Sequence, residues 1–167
     1  ALTQVKAIRV QGAIAVDGKL DEAAWQQAPP HTTFTQRDPN EGQRATEETE
    51  VRVVYDDDSI YVGARLTDSQ PKAIKALLGR RDSDLISDSF TVYLDSYNDK
   101  RTGFYFGVSA GGTLFDGTLF NDDWDDNAWD GIWEARTRQD DAGWTAEFRI
   151  PLSQLRFKKE DEARWGI

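Results

Sequence analysis

An acidic, tryptophan-rich stretch at residues 121–131 carries the side chains best suited to hold a ligand. It reads Asn-Asp-Asp-Trp-Asp-Asp-Asn-Ala-Trp-Asp-Gly. An aromatic face can stack on the CH side of a sugar ring, while carboxylates and amides exchange hydrogen bonds with hydroxyl groups. We therefore expect a polyhydroxylated ligand at this loop, contacted by Asn121, Asp122, Trp124, Asp125 and Trp129, with Arg81 as a further hydrogen-bond donor.

The two tryptophans of the stretch have a second interpretation. Trp is usually highly buried in folded proteins, so Trp124, Trp129 or both could instead close the end of a hydrophobic core. From the sequence, a ligand-binding role and a core role for these two tryptophans are equally compatible with the pattern.

Clustered oxygen atoms in two segments also predict a structural Ca²⁺ ion, which takes about six to eight oxygen ligands. The loop is no EF-hand, because placing Gly131 at the motif's glycine puts Ala128 and Thr137 at ligand positions. For the segment that holds Asp95, Asn98 and Asp99, an Asx turn is the alternative. The candidate ligands are Asp95, Asn98 and Asp99 in one segment and Asp123 and Asp126 in the other.

Composition argues against several other functions. Twenty basic residues stand against thirty acidic ones, for a net charge of -10, so nucleic acid is not an expected partner. The chain has no Cys, which excludes thiolate catalysis and disulfides. Nothing in the sequence holds two carboxylates at the separation that glycoside hydrolysis needs, so we expect no enzyme. A nucleotide cofactor is not expected either.

Period-two alternation of apolar residues predicts the elements that position these side chains. Such alternation indicates strands with one buried face, and two sheets must then close over a shared core. The predicted fold is an all-β, antiparallel β-sandwich, jelly-roll-like, with short helical turns begun by Asp21 and Ser69. The predicted hairpins pair 51–55 with 60–66, 90–94 with 104–108, and 133–137 with 144–150.

The length of 167 residues fits one domain, 1–167, and no apolar run reaches the roughly 18 residues that a membrane span needs. The final residues Trp165-Gly166-Ile167 resemble the first residues of a strand. We therefore expect the domain to be truncated from a longer chain.

Four motifs resemble those of the carbohydrate-binding modules of family 9. The motifs are Val-Asp-Gly-Lys-Leu-Asp-Glu-Ala-Ala-Trp at 16–25, Tyr-Asp-Asp-Asp-Ser-Ile-Tyr-Val-Gly at 55–63, Asp-Ser-Phe-Thr-Val-Tyr-Leu-Asp at 88–95 and Gly-Trp-Thr-Ala-Glu-Phe-Arg-Ile-Pro at 143–151. The resemblance covers nearly the whole chain and implies a β-sandwich that binds carbohydrate and carries calcium. Haem, which some relatives hold through Met and His, is not expected because the chain has no Met.

The segments 79–82 and 98–104 are similar to those of N-terminal modules in large bacterial proteins whose later part looks like an outer-membrane barrel. This likeness implies export to the periplasm or outer membrane of a Gram-negative cell. It also implies contact with the C-terminal remainder of the chain, including such a barrel.

The resemblance does not carry the family's sugar-binding side chains onto this sequence. Family members clamp a pyranose between two Trp and bind it with Glu, Arg and Asn. The aligned positions hold Leu85 for the first Trp, Thr91 for Glu, Gly107 for Arg and Ser109 for Asn, and the second Trp aligns beyond Ile167. Two functions are therefore expected: a glycan-binding module that uses the 121–131 loop, or a structural or docking domain of an outer-membrane protein without sugar binding.

Overall fold

The computed structural model describes residues 3–121, 124–160 and 162–167, with the backbone alone at Trp124. Within them the chain forms strands joined by turns, one short helix, and two 3₁₀ turns at Pro71–Ala73 and Leu152–Gln154. The elements are β1 (Ile8–Arg9), α1 (Ala23–Gln27), β2 (Thr49–Tyr55), β3 (Ser59–Thr67), β4 (Ser89–Leu94), β5 (Thr102–Ser109), β6 (Leu114–Phe120), β7 (Trp124–Asp126), β8 (Glu134–Asp140) and β9 (Gly143–Pro151).

Two sheets are built from these strands. The five-stranded sheet has the order β1-β2-β3-β9-β8, and the four-stranded sheet has the order β4-β5-β6-β7. The three hairpins expected from the sequence are β2–β3, β4–β5 and β8–β9, each antiparallel. The short β1 departs from the pattern, because it pairs with β2 in parallel.

Aromatic rings from both sheets fill the space between them. Phe106 on β5 and Phe148 on β9 are fully buried and belong to one core cluster. The Trp133 ring lies 5.3 Å from Phe106 and stacks on Phe148 at 5.8 Å, so it bridges the two layers. The predicted all-β sandwich of two packed sheets is therefore confirmed.

Both predicted helical turns exist, but the residues expected to cap them were wrong. Glu22, and not Asp21, precedes α1, and it makes no side-chain cap because its carboxylate accepts the Ala15 N–H at 2.9 Å. Gln70, and not Ser69, precedes the first 3₁₀ turn. The Ser69 hydroxyl instead donates to Glu47 at 2.5 Å.

Burial of Trp25 holds α1 against the outer face of the five-stranded sheet. Its ring is almost fully buried, and a Cβ on Gly63 of β3 would lie only 3.0 Å from it. The glycine therefore lets the ring approach the sheet closely. Among the described residues, no helix is long and apolar enough to cross a membrane.

Candidate functional site

Three parts of the chain meet at one end of the four-stranded sheet, which we call the loop end: the turn 95–101, Asn121, and residues 158–160 and 162–167. The Asn121 N–H donates to the Arg101 carbonyl at 2.7 Å. Asp95 and Gly166 exchange two backbone hydrogen bonds, each of 2.9 Å. The predicted calcium segment and the beginning of the acidic, tryptophan-rich stretch thus become neighbours.

The carboxylates of the 95–101 turn already bind the turn's own backbone. Asp95 accepts the N–H groups of Lys100 at 2.7 Å and Asp99 at 3.2 Å. Asp99 accepts those of Thr102 and Arg101, each at 2.8 Å, and these bonds lower the pKa of Asp99. Both acids therefore have the contacts of Asx turns, and a cation at this turn would compete with those N–H donors.

One side of the turn borders a groove of about 450 Å³, which we call the Tyr97 groove. Tyr97 is 42% exposed, and the half-buried Trp165 packs on Phe157 with ring centroids 5.4 Å apart. A volume of this size lies in the usual range for small-molecule sites, about 300–1,000 Å³. The lining comprises Ser96, Tyr97, Asn98, Lys158, Glu160, Glu162, Ala163, Arg164 and Trp165.

The other side of the turn borders a smaller groove of about 260 Å³ on the outer face of the sheet, the Tyr93 groove. Tyr93 is 53% exposed and lines it together with Lys100, Arg101, Gly103 and Leu119. Leu119 pairs with Asp125 of β7, and paired residues of adjacent strands share a face. The exposed Asp125 therefore lies beside this groove.

The rest of the acidic, tryptophan-rich stretch is only partly described. Asp122 and Asp123 lie outside the described residues, as does the side chain of Trp124. Trp129 is half-buried, and its ring packs on Phe104 at 5.2 Å and on Phe106 at 5.9 Å. It lies against the core, whereas Asp126 is exposed and accepts the Ala128 N–H at 2.9 Å.

Arg81 lies in a separate cluster between the segment before β4 and the segment before β8. It donates to the fully buried Asp116 at 2.6 and 3.0 Å, and to the Gly131 carbonyl at 2.8 Å. The second Asp116 oxygen accepts the Gly131 N–H at 2.6 Å. The Asp130 carboxylate lies 3.3 Å from Arg81 Nε. The guanidinium thus ties the end of the 121–131 stretch to β6.

This cluster holds carboxylates that could bind a metal ion. Atoms of Asp82, Asp116 and Asp130 lie within 4.8 Å of one another. Burial raises the pKa of Asp82, and the neighbouring Asp116 charge adds to the rise. Arg81 contacts all three acids, at 3.7, 2.6 and 3.3 Å, so a positive group already supplies the charge that a cation would bring.

The comparisons with known proteins identify the family. Residues 16–167 match the family described as carbohydrate family 9 binding domain-like. The chain belongs to this family. No curated protein is similar enough in sequence to match the chain.

Solved structures of family 9 modules share the fold. A family 9 carbohydrate-binding module from Caldicellulosiruptor kristjanssonii in complex with cellotriose has a TM-score of 0.59 and 18% identity, covering 89% of this chain and 68% of its own. A family 9 module from the same organism in complex with glucose has a TM-score of 0.63 and 18% identity, and the match covers 91% of this chain and 72% of that module. At this identity the likeness shows the fold alone.

In this family 9 domain, the chain's own residues cover two of the positions aligned with sugar-binding residues, Gly107 and Ser109. A Cβ on Gly107 would lie 2.0 Å from the Phe115 ring, so that ring occupies the space above the glycine. Ser109 is buried, and its hydroxyl accepts the Thr113 N–H at 3.0 Å. A ligand site of this domain is therefore better sought at the loop end.

Sequence reasoning missed several of these residues. Tyr93 falls within the predicted strand 90–94, and Tyr97 follows it, but the sequence did not mark either ring as a ligand contact. Asp116 carried a usable signal, because it occupies an inward position between Leu114 and Thr118 on a strand. An acid at such a position needs a buried partner.

Proposed function

We propose that this family 9 domain is a non-catalytic carbohydrate-binding module that holds its glycan in the Tyr97 groove. The observation that carries the proposal is the groove's combination of aromatic and polar side chains at the loop end of a family 9 sandwich. The acidic, tryptophan-rich stretch approaches the same end through Asn121, so the ligand contacts expected from the sequence lie only at the border of this site.

The side chains of the groove have the chemistry of a sugar site. The exposed Tyr97 ring offers a face on which the CH groups of a pyranose can stack. Asn98 can both donate and accept hydrogen bonds. Glu162 and Arg164 also line the groove, with a guanidinium nitrogen of Arg164 3.6 Å from a carboxylate oxygen of Glu162. Hydroxyl groups of a sugar ring require this mixture of donors and acceptors.

The first probes follow from the solved relatives, which hold cellotriose and glucose. We expect isothermal titration calorimetry to show binding of soluble β-glucan oligosaccharides to the wild-type domain. Tyr97→Ala should reduce the affinity about tenfold, since an aromatic contact is worth ~0.5–1.5 kcal/mol beyond its buried area and ~1.4 kcal/mol is tenfold.

Two further variants make this test specific. Phe120→Ala removes another exposed aromatic ring that lines neither groove, and it should leave the affinity unchanged. Trp124→Ala measures the contribution expected of the acidic, tryptophan-rich stretch. Equal losses in Tyr97→Ala and Phe120→Ala, or no binding of any glycan in a panel of glucans, xylans and chitooligosaccharides, would refute the proposal.

Calcium and export remain predictions that accompany this function. Ca²⁺ suits the all-oxygen set of Asp82, Asp116 and Asp130, but it would have to displace Arg81. Periplasmic or outer-membrane location is likewise a prediction from the sequence resemblance. Incubation with chromogenic glycosides should release no chromophore, as a module without catalysis requires.

Docking to a protein partner is the second candidate function. It is favoured by three exposed apolar side chains in the segment between β3 and β4, namely Leu77, Leu78 and Ile86. Exposed apolar surface is one mark of a protein interaction site. Loss of partner binding in Leu78→Ser, with glycan binding intact, would support this function.

A further inference from the structure

We infer that the glycan is a chain of several sugars that crosses the Asp95–Gly166 pair and contacts both grooves. This inference rests on the proposed function and adds the Tyr93 groove as a second subsite. It predicts that recognition depends on chain length, which a single-sugar site would not show.

The two grooves are lined by neighbouring residues of the same two chain segments. Residues 96–98 and 165 line the Tyr97 groove, whereas Asp95, Gly166 and Ile167 line the Tyr93 groove. The hydrogen-bonded Asp95–Gly166 pair joins the same two segments. A ligand that crosses the Asp95–Gly166 pair would therefore reach residues of both grooves.

The distance between the two aromatic side chains suits a short oligosaccharide. Tyr93 and Tyr97 are four residues apart, and an extended chain spans at most ~3.6 Å per residue, so their Cα atoms are at most ~14 Å apart. Both rings are about half exposed. A chain of a few sugar rings can therefore reach both.

The Tyr93 groove has room and hydrogen-bond donors for a sugar. Gly103, which has no side chain, lies in the groove between the ends of β4 and β6. Leu119 supplies an apolar surface, and Lys100 and Arg101 bring cationic groups that can donate to hydroxyls. A sugar ring on Tyr93 would thus find the same types of contact as in the Tyr97 groove.

The test measures affinity against chain length by calorimetry, with cellobiose, cellotriose, cellotetraose and cellohexaose as probes. In the wild type, affinity should rise from cellobiose to the longer chains and then level off. Tyr93→Ala should lower the affinity for cellohexaose about tenfold, to that for cellobiose, and leave cellobiose binding unchanged. Tyr93→Phe keeps the ring and should retain the affinity, and Phe120→Ala is the matched aromatic control.

The outcomes separate the inference from the proposed function. Binding that is lost in Tyr97→Ala, but does not depend on chain length or on Tyr93, overturns the second subsite and leaves the proposed function standing. Equal losses for short and long chains in Tyr93→Ala also overturn it. Failure of the wild type to bind any oligosaccharide of this series or any glycan of the wider panel contradicts the proposed function itself.

Discussion

The buried Glu147 should make the stability of this domain depend strongly on pH. Glu147 lies on the outer face of the five-stranded sheet, fully buried beneath the segment that leads into α1. Its carboxylate accepts the N–H groups of Asp17 at 2.9 Å and Gly18 at 2.8 Å, and the Trp25 Nε1–H at 3.3 Å. Burial nevertheless raises the pKa of Glu147 from 4.5 to about 7, and the Glu22 charge adds to the rise.

The sign and size of the effect follow from this pKa. A carboxyl group with a raised pKa in the folded state stabilises the fold while it is protonated, and this contribution is lost as the pH rises from about 4.5 to about 7. The change corresponds to about 3 kcal/mol, since a pKa difference of one is worth ~1.4 kcal/mol. The free energy of unfolding should fall by about this amount over the interval.

Glu147→Gln isolates the contribution, because glutamine does not titrate. The difference in free energy of unfolding, variant minus wild type, should grow by about 3 kcal/mol between about pH 4 and about pH 8. Urea unfolding followed by tryptophan fluorescence measures it at each pH. Glu48→Gln, at an exposed position, is the control and should change the free energy of unfolding little. If the Glu147→Gln difference stays constant, or shrinks as the pH rises, the reasoning is wrong.

Two further variants test the cluster and the loop. Arg81→Ala leaves Asp116 buried without its cation, which should lower the free energy of unfolding in urea by about 3 kcal/mol. Added Ca²⁺ should restore part of this stability. A loss below ~1 kcal/mol would argue against the ion pair. Trp129→Ala should lower the free energy of unfolding by about 3 kcal/mol while leaving glycan affinity unchanged, because its ring packs on Phe104 and Phe106. Lost affinity in a stable Trp129 variant would instead assign the ring to the binding site.

The six strands of the three predicted hairpins could be predicted because their signal is local, whereas β1 and β6 were not predicted. Val51, Val53 and Tyr55, like Phe104, Phe106 and Val108, alternate with neighbours on the opposite face, and the hairpins formed where this pattern met a polar turn. Strand β7 was missed, since Trp124–Asp126 is only three residues long and lies among acids that indicate a loop.

The site was less predictable because its residues are brought together by the topology. The Asp95–Gly166 pair joins segments about 70 positions apart, and no periodicity specifies such a contact. The predictions of the helix caps were wrong for a related reason, because the side chains at these positions make contacts with residues outside the helical turns. The Ser69 hydroxyl donates to Glu47, and the Glu22 carboxylate accepts the Ala15 N–H. The sequence suggested Arg81 as a ligand contact, whereas its ion pair with Asp116 became apparent only from the packing of β6, which buries Asp116.

The most direct test of the central claim is a chemical-shift map of the ¹⁵N-labelled domain titrated with cellotriose. The account predicts that the largest changes cluster at Tyr97, Asn98, Glu162 and Trp165, with smaller ones at Tyr93. Changes confined to the 121–131 stretch, or no changes at all at saturating sugar, would contradict it.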